Sequence, residues 1–453
     1  MFKSKKEKPD RRQYMTETPV PKLITSLAVP TIISMLVTGI YNTADTYFVG
    51  KISTEATAAV GLVFTVMALI QAIGFFCGHG SGNYLSRMLG AGNLKEANET
   101  AATGFALALL IGTAVAVLGN LKAESLAIML GAGESTMGDT LAYMRIILLG
   151  APFMMGQFVI NNQLRFQGSA IYSMIGLMCG AVVNIFLDPL LILTFHLGTM
   201  GAAIATVSGQ VISFFVLLAG SMRGENIRLL PSNVHLNAHY LKEIINGGIP
   251  SLFRQGLAAI ATLLLNHAAG RLGGDAAIAG MSVTTRILMM MASALIGFGQ
   301  GFQPVCSYNY GAGLKTRVRE GFYFCVRYGT LFLIVLSTIS FIHAPAIIGW
   351  FRDDPKVIET GTVALRAQAL SLPLLATTTM VNMMLQSMGK GVKASITASA
   401  RNGIFFVPMI LLLPSLFGLF GVQIAQAVAD VLSLLLAVPL GVSELVKMRE
   451  DVK

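Results

Sequence analysis

Three carboxylates stand inside long apolar runs of this 453-residue chain: Asp45, Asp188 and Asp430. A charge at the centre of a bilayer costs about 2.5–3.5 kcal/mol on insertion scales, so an acid kept there is first a candidate for chemistry. The chemistry open to it is cation exchange, in which a bound proton or sodium ion changes the hydrogen bonds of the side chain that holds it. The competing role is structural: an acid paired with an arginine, or one that reaches water from a helix end. At about 1.5 Å of rise per residue, Asp45 on a first helix and Asp188 on a fifth reach the same outer level. Tyr143 on a fourth helix and Thr206 on a sixth, running the other way, reach it too. Asn184 is four residues before Asp188 and shares its helix face. Two carboxylates in a poorly hydrated pocket titrate as a unit and can carry one exchangeable cation, with Tyr143, Asn184 and Thr206 as neutral partners. A buried network that only ties helices together is the alternative. Asp430, alone in its run, is either a structural acceptor or a secondary ion site.

These residues need membrane-crossing helices to position them. The chain is 54% hydrophobic and 12% charged, with mean hydropathy +0.69; a soluble chain carries about 25% charge. About 20 mainly apolar residues cross the hydrocarbon. Twelve such runs lie near 23–49, 57–84, 100–119, 141–162, 172–195, 200–221, 244–269, 277–304, 322–342, 362–384, 395–415 and 420–441. They are too long, and alternate too little, for a β-barrel. The expected fold is an all-α polytopic membrane protein. No cleavable signal peptide is expected, since the first 22 residues are polar and basic and the run that follows is too long for an h-region.

Charge gives an orientation. With both termini in the cytoplasm, about 21 Lys and Arg fall in cytoplasmic tails and loops and about 5 outside, as the positive-inside rule expects. The net charge of +10 is therefore a topology signal; dispersed between spans, it does not make a nucleic-acid surface.

The chain also repeats itself. Shifted by about 220 residues, Pro30 falls on Pro250, GKISTEATAAV (from Gly50) on GRLGGDAAIAG (from Gly270), LGAGN (from Leu89) on YGAGL (from Tyr310), and Pro152 on Pro373. Each half holds six spans, so the halves share an orientation and their two-fold axis runs along the membrane normal. The expected organisation is a cytoplasmic tail (1–22), an N-lobe (23–221), a cytoplasmic linker (222–243), a C-lobe (244–441) and a second tail (442–453). Carriers of this build bind substrate near the interface of the repeats and rock one half against the other. The acids are not repeated: Leu265 stands opposite Asp45, and Val407–Met409 opposite Asp188.

Pro30, inside the first span, is either a hinge driven by protonation of Asp45 or a fixed kink. Of the intramembrane arginines, Arg254, Arg286 and Arg401 in the C-lobe could line a cavity and favour an anionic group, joined by Gln255, Asn382 and Gln386; the plainer role is snorkelling or bonding to carbonyls. The glycines of GHGSG follow no soluble strand, there is no GxxxxGK[ST], and no histidine pair has ligand spacing on a common span. Hence no enzyme activity, no bound metal and no cofactor beyond H+ or Na+ as coupling ion is expected. Cys77, Cys179, Cys306 and Cys325 have no metal spacing.

Several segments together resemble the MATE (multidrug and toxic compound extrusion) family: Pro30 with YNTADTYFVG, LSRMLGAGN (85–93), APFMMGQFVINNQLRFQG (151–168), NIFLDPLLI (184–192) and GIPSLFRQG (248–256). Within it the chain looks like the DinF-like branch. The resemblance covers about residues 20–445 and implies two six-helix lobes in a V around a central cavity, with a cation-binding network in the N-lobe. The family's residues match Asp45, Asn184, Asp188, Tyr143, Thr206 and the kinking Pro30. It departs from the NorM-like branch, which carries sodium-coupling acids in helices 7 and 10; here stand Arg254-Gln255 and Ala376-Thr377-Thr378-Thr379.

The reading that follows is a multidrug or metabolite efflux antiporter of the inner (cytoplasmic) membrane, proton- or sodium-coupled. It works by alternating access as a monomer on small amphipathic compounds, cationic or anionic, among membrane lipids. The alternative is a lipid-linked oligosaccharide or anionic-lipid flippase, which needs a cavity basic on both lobes. A non-transporting sensor would not need the acid pair.

Overall fold

The computed structural model describes residues 10–450, without the side chains of Asn42 and Thr43. Residues 1–9, which hold Lys3, Lys5, Lys6 and Lys8 of the expected basic tail, and residues 451–453 lie outside the described residues. Helices follow in the order α1 Arg11–Glu17, α2 Val20–Gly50, α3 Thr54–Gly90, α4 Leu94–Leu121, α5 Ala123–Met129, α6 Glu134–Phe166, α7 Ala170–Pro189, α8 Gly198–Ser221, α9 Ala238–Gly311, α10 Lys315–Ile342, α11 Ala344–Phe351, α12 Pro355–Ser371, α13 Leu374–Ser387, α14 Gly391–Ser399, α15 Phe406–Phe417 and α16 Leu419–Glu450. No strand occurs among the described residues.

Ten of these, counting α7 and α14–α15 through their π-helical turns, are long and apolar enough to cross a bilayer. The 74-residue α9 holds two crossings, because Gly274 breaks it at φ 61, ψ −157, a conformation essentially reserved for glycine. α12 and α13 form one more, interrupted at Leu372-Pro373. Twelve crossings result, each overlapping an expected run. The starts are fixed by local chemistry: Ser53 caps α3 on the Ala56 N–H, Asn93 caps α4 on Glu96, and Asn237 caps α9 on Tyr240, each satisfying an N–H that the first turn leaves free. Three features do not follow from hydropathy. The short helices α1, α5 and α11 lie outside the apolar runs, and π-helical turns occupy Leu190–Thr194 and Ala400–Ile404. The first π turn comes directly after Asp188-Pro189, where the proline lacks an N–H for the α ladder.

Large apolar side chains cover the outside, among them Leu118, Leu263, Met290, Trp350, Leu411 and Leu435, as lipid contact requires. Inside, one cluster around Tyr143, Ile147, Met155 and Ala202 belongs to the first half, and another around Leu265, Met281, Phe406 and Val422 to the second. A third draws on both halves, joining Leu23, Leu27, Leu85 and Leu89 to Phe302, Val305 and Met384. It lies at the end of the molecule that carries the linker.

Candidate functional site

α2 packs on α7, and α8 on both α6 and α7, so four helices of the first half converge on the expected acid pair. Asp188 is wholly buried, and neither carboxylate oxygen accepts a hydrogen bond from the described residues. Asp45 is half-buried, with Oδ1 also unpartnered. The two acids stand within electrostatic reach of each other and of the buried Tyr143. Asn184 donates from Nδ2 to Thr206 Oγ1 at 3.5 Å, while its own Oδ1 has no donor. The Tyr143 hydroxyl points to Met67 Sδ at 3.7 Å. All five expected residues thus share one region. Tyr41, one turn before Asp45, joins them; its i,i+4 spacing was the available signal.

Among the described residues this cluster is short of donors. Four buried oxygens, from Asp45, Asp188 and Asn184, accept no hydrogen bond from a described N–H or O–H group. A buried acceptor left unpaired is costly, and more so when it is charged. Protons or a hard cation on the carboxylates would supply what the side chains lack.

Pro30 sits fifteen positions before Asp45 in an unbroken α2, so the ladder continues on both sides of it. Around it the hydroxyls of Thr31, Ser34 and Thr38 bond the carbonyls four residues back, at 2.9, 2.9 and 2.8 Å. Such back-bonding bends helices and partly occupies carbonyls near the proline.

The C-lobe residues do not share one cavity. Arg401 Nε meets Asp430 Oδ1 at 2.7 Å, and Asp430 also accepts from Ser371 (3.1 Å) and Gln426 (3.0 Å). Asp430 is therefore not alone, and its geometry is that of a structural acceptor with Arg401 as partner. Gln386 is fully buried, bonded to Gly247 O, Ser251 and Gln303; it ties helices together. Arg286 is exposed and makes no ion pair among the described residues; Gln255 is half-buried. Arg254 donates to Asn382 Oδ1 at 3.0 Å, and Asn382 donates onward to Ala394 O and Thr397. Arg366 bonds Phe341 O at 3.2 Å, the carbonyl role expected of a snorkelling arginine. Sequence reasoning missed Arg165: it is buried, where the charge pattern put it in a loop, and reaches Gln300 of the other half.

The halves are sealed together at the linker end. Arg87 pairs with Glu243 at 3.1 Å and donates to Ser387 O at 3.1 Å, and Ser307 Oγ bonds Asn83 Oδ1 at 3.1 Å. The N-terminal strap crosses the same seam: Arg11 bonds Gln167 and Asn226, while Asn309 and Arg317 bond the carbonyls of Met15 and Thr18.

A family model described as MatE matches residues 30–190 and 250–412. The chain belongs to the MatE family. The two matched segments of this MatE protein fall one in each repeat, which is how the 220-residue shift divides it. Multidrug export protein MepA of Staphylococcus haemolyticus is 28% identical over 426 residues, spanning 94% of both chains. MepA of Staphylococcus saprophyticus is 29% identical over 433 residues, spanning 95% of both. Among solved structures, a multidrug resistance MATE family transporter in an outward-facing conformation superposes with TM-score 0.91 at 25% identity, over 98% of this chain and 100% of that one. A MOP superfamily transporter from Pyrococcus furiosus gives 0.90 at 24%. The fold is thus twelve membrane helices in two lobes, and this MatE protein is a multi-pass membrane transporter rather than an enzyme.

Proposed function

We propose that the protein exports small amphipathic organic compounds from the cytoplasm by antiport against a cation that enters on Asp45 and Asp188. It sits in the cell membrane with both tails and the linker in the cytoplasm, and works as a single chain. One observation carries the coupling: two acids from different helices stand within electrostatic reach of each other in a buried region, with carboxylate oxygens that no described donor bonds. Neutral or cation-loaded, the pair is tolerable there; bare, it is not. Loading therefore favours the conformation that closes around it, and unloading favours one that hydrates it. The multidrug export proteins to which the chain is similar support the substrate class. The seal at the linker end corresponds to an outward-facing state in this orientation.

The proton is the coupling ion we favour, because a proton on either carboxylate both neutralises it and adds an O–H donor where the described side chains leave these oxygens without one. The test is substrate-induced proton release from proteoliposomes, with and without sodium, for wild type and Asp45→Asn. Release in wild type independent of sodium, and its loss in the variant, is expected. Coupling retained by Asp45→Asn rejects the site, and a strict sodium requirement rejects the ion.

A further inference from the structure

Two guanidinium groups lie at the sealed end with no carboxylate among the described residues paired to them. Arg165, at the end of α6, is 2% exposed, and its bonds go to neutral groups: Gln300 across the seam, Asn162, and the His79 ring. Its Nε has no partner. Arg254, on α9 in the other lobe, bonds Asn382 at 3.0 Å and Ser251 at 3.4 Å, again neutral. Arg165, Arg254 and His79 stand within electrostatic reach of one another. Neither arginine forms an ion pair with a described residue, although Arg87, the other buried arginine, has Glu243, and the half-buried Arg401 has Asp430.

Two like charges in a poorly hydrated place repel, and the buried Arg165 has lost its water. A planar guanidinium offers paired N–H groups that match an oxyanion, which would offset both charges at once. We propose that Arg254 and Arg165 form an oxyanion site between the lobes at their sealed end, taking the carboxylate or phosphate of an amphipathic compound or of a lipid headgroup. This rests on the transporter reading and names the substrate chemistry. The half-buried Arg254 is the group an anion meets in the sealed state. Arg165, shielded by Gln300, is reached only when the lobes part at this end. The charges are then divided by level: the cation is held on the acids and the anion on the arginines.

The test is thermal unfolding of the purified protein titrated with inorganic phosphate against chloride, at constant pH and ionic strength. A saturable rise in Tm is expected in wild type, at least tenfold weaker in midpoint concentration for Arg254→Gln and Arg165→Gln, and unchanged for Arg286→Gln. If Arg165→Gln does not fold, Arg254→Gln decides alone. A second arm compares nanodiscs of phosphatidylglycerol and phosphatidylcholine; an Arg254-dependent rise there without one from free phosphate identifies the headgroup as the source. No saturable rise with either probe, or the same rise in Arg254→Gln, overturns the site. Binding is read without transport. A protein that exports an uncharged dye but shows no Arg254-dependent rise loses the anion site and keeps the antiport. A protein with the rise but no proton release does the reverse.

Discussion

The seam between the lobes depends on two glycines that the repeat places on each other, Gly90 and Gly311. A Cβ on Gly90 would stand 2.0 Å from Tyr308 O, and one on Gly311 would stand 2.0 Å from Arg87 O. Ordinary C···O contact is about 3.3 Å, so the helices would have to part by more than about 1 Å. The obstruction is backbone on both sides, and no side chain can rotate away. Overpacking of this kind costs about 1–3 kcal/mol, a fall of about 5- to 150-fold in the sealed population relative to an unsealed one. Cys306 reports it: the thiol is fully buried and lies beside Arg87. In Gly90→Ala, alkylation of Cys306 by N-ethylmaleimide, followed by peptide mass spectrometry, is expected to accelerate about tenfold or more. The half-buried Cys179 of α7, away from the seam, keeps its rate. Gly311→Ala should behave like Gly90→Ala, because the two contacts are related by the repeat. A folded Gly90→Ala protein whose Cys306 reacts at the wild-type rate would show that the seam does not govern access at this end.

Other variants separate structure from coupling. Asp188→Asn should unfold within about 3 °C of wild type, since the carboxylate makes no hydrogen bond to lose, yet release no protons with substrate; a large drop in Tm would make Asp188 a structural acid. Arg401→Gln leaves Asp430, 5% exposed in its side chain, with only two neutral donors. Breaking a buried pair costs about 3–5 kcal/mol, and the 29% exposure of Arg401 brings the expectation to about 2 kcal/mol. Adding Asp430→Asn should recover part of it, and strict additivity of the two substitutions in thermal unfolding would refute the pairing. For orientation, a cysteine at Lys95 should be labelled by an impermeant maleimide only from the cytoplasm and one at Lys51 only from outside; the opposite pattern inverts the topology.

The fold was legible where hydropathy and repetition both spoke. Every one of the twelve crossings overlaps an apolar run, and the 74-residue α9 divides into two of them at Gly274. The acid pair was legible for a related reason: a carboxylate in hydrocarbon is rare enough that depth alone nearly places it, and helix pitch supplies the depth. The basic residues were less legible because a positive charge has two places to go in such a protein. Arg165 lies just past an apolar run, where the charge pattern reads it as a loop residue, and only the tertiary fold shows it buried against Gln300. Arg401 and Asp430 are 29 residues apart on different helices, so no spacing rule joins them, and each alone resembles a functional charge. What distinguishes an ion-pairing arginine from a binding one is whether an acid faces it. That is a property of the packing, and it separates Arg401, which Asp430 holds, from Arg254, whose hydrogen bonds go only to neutral groups.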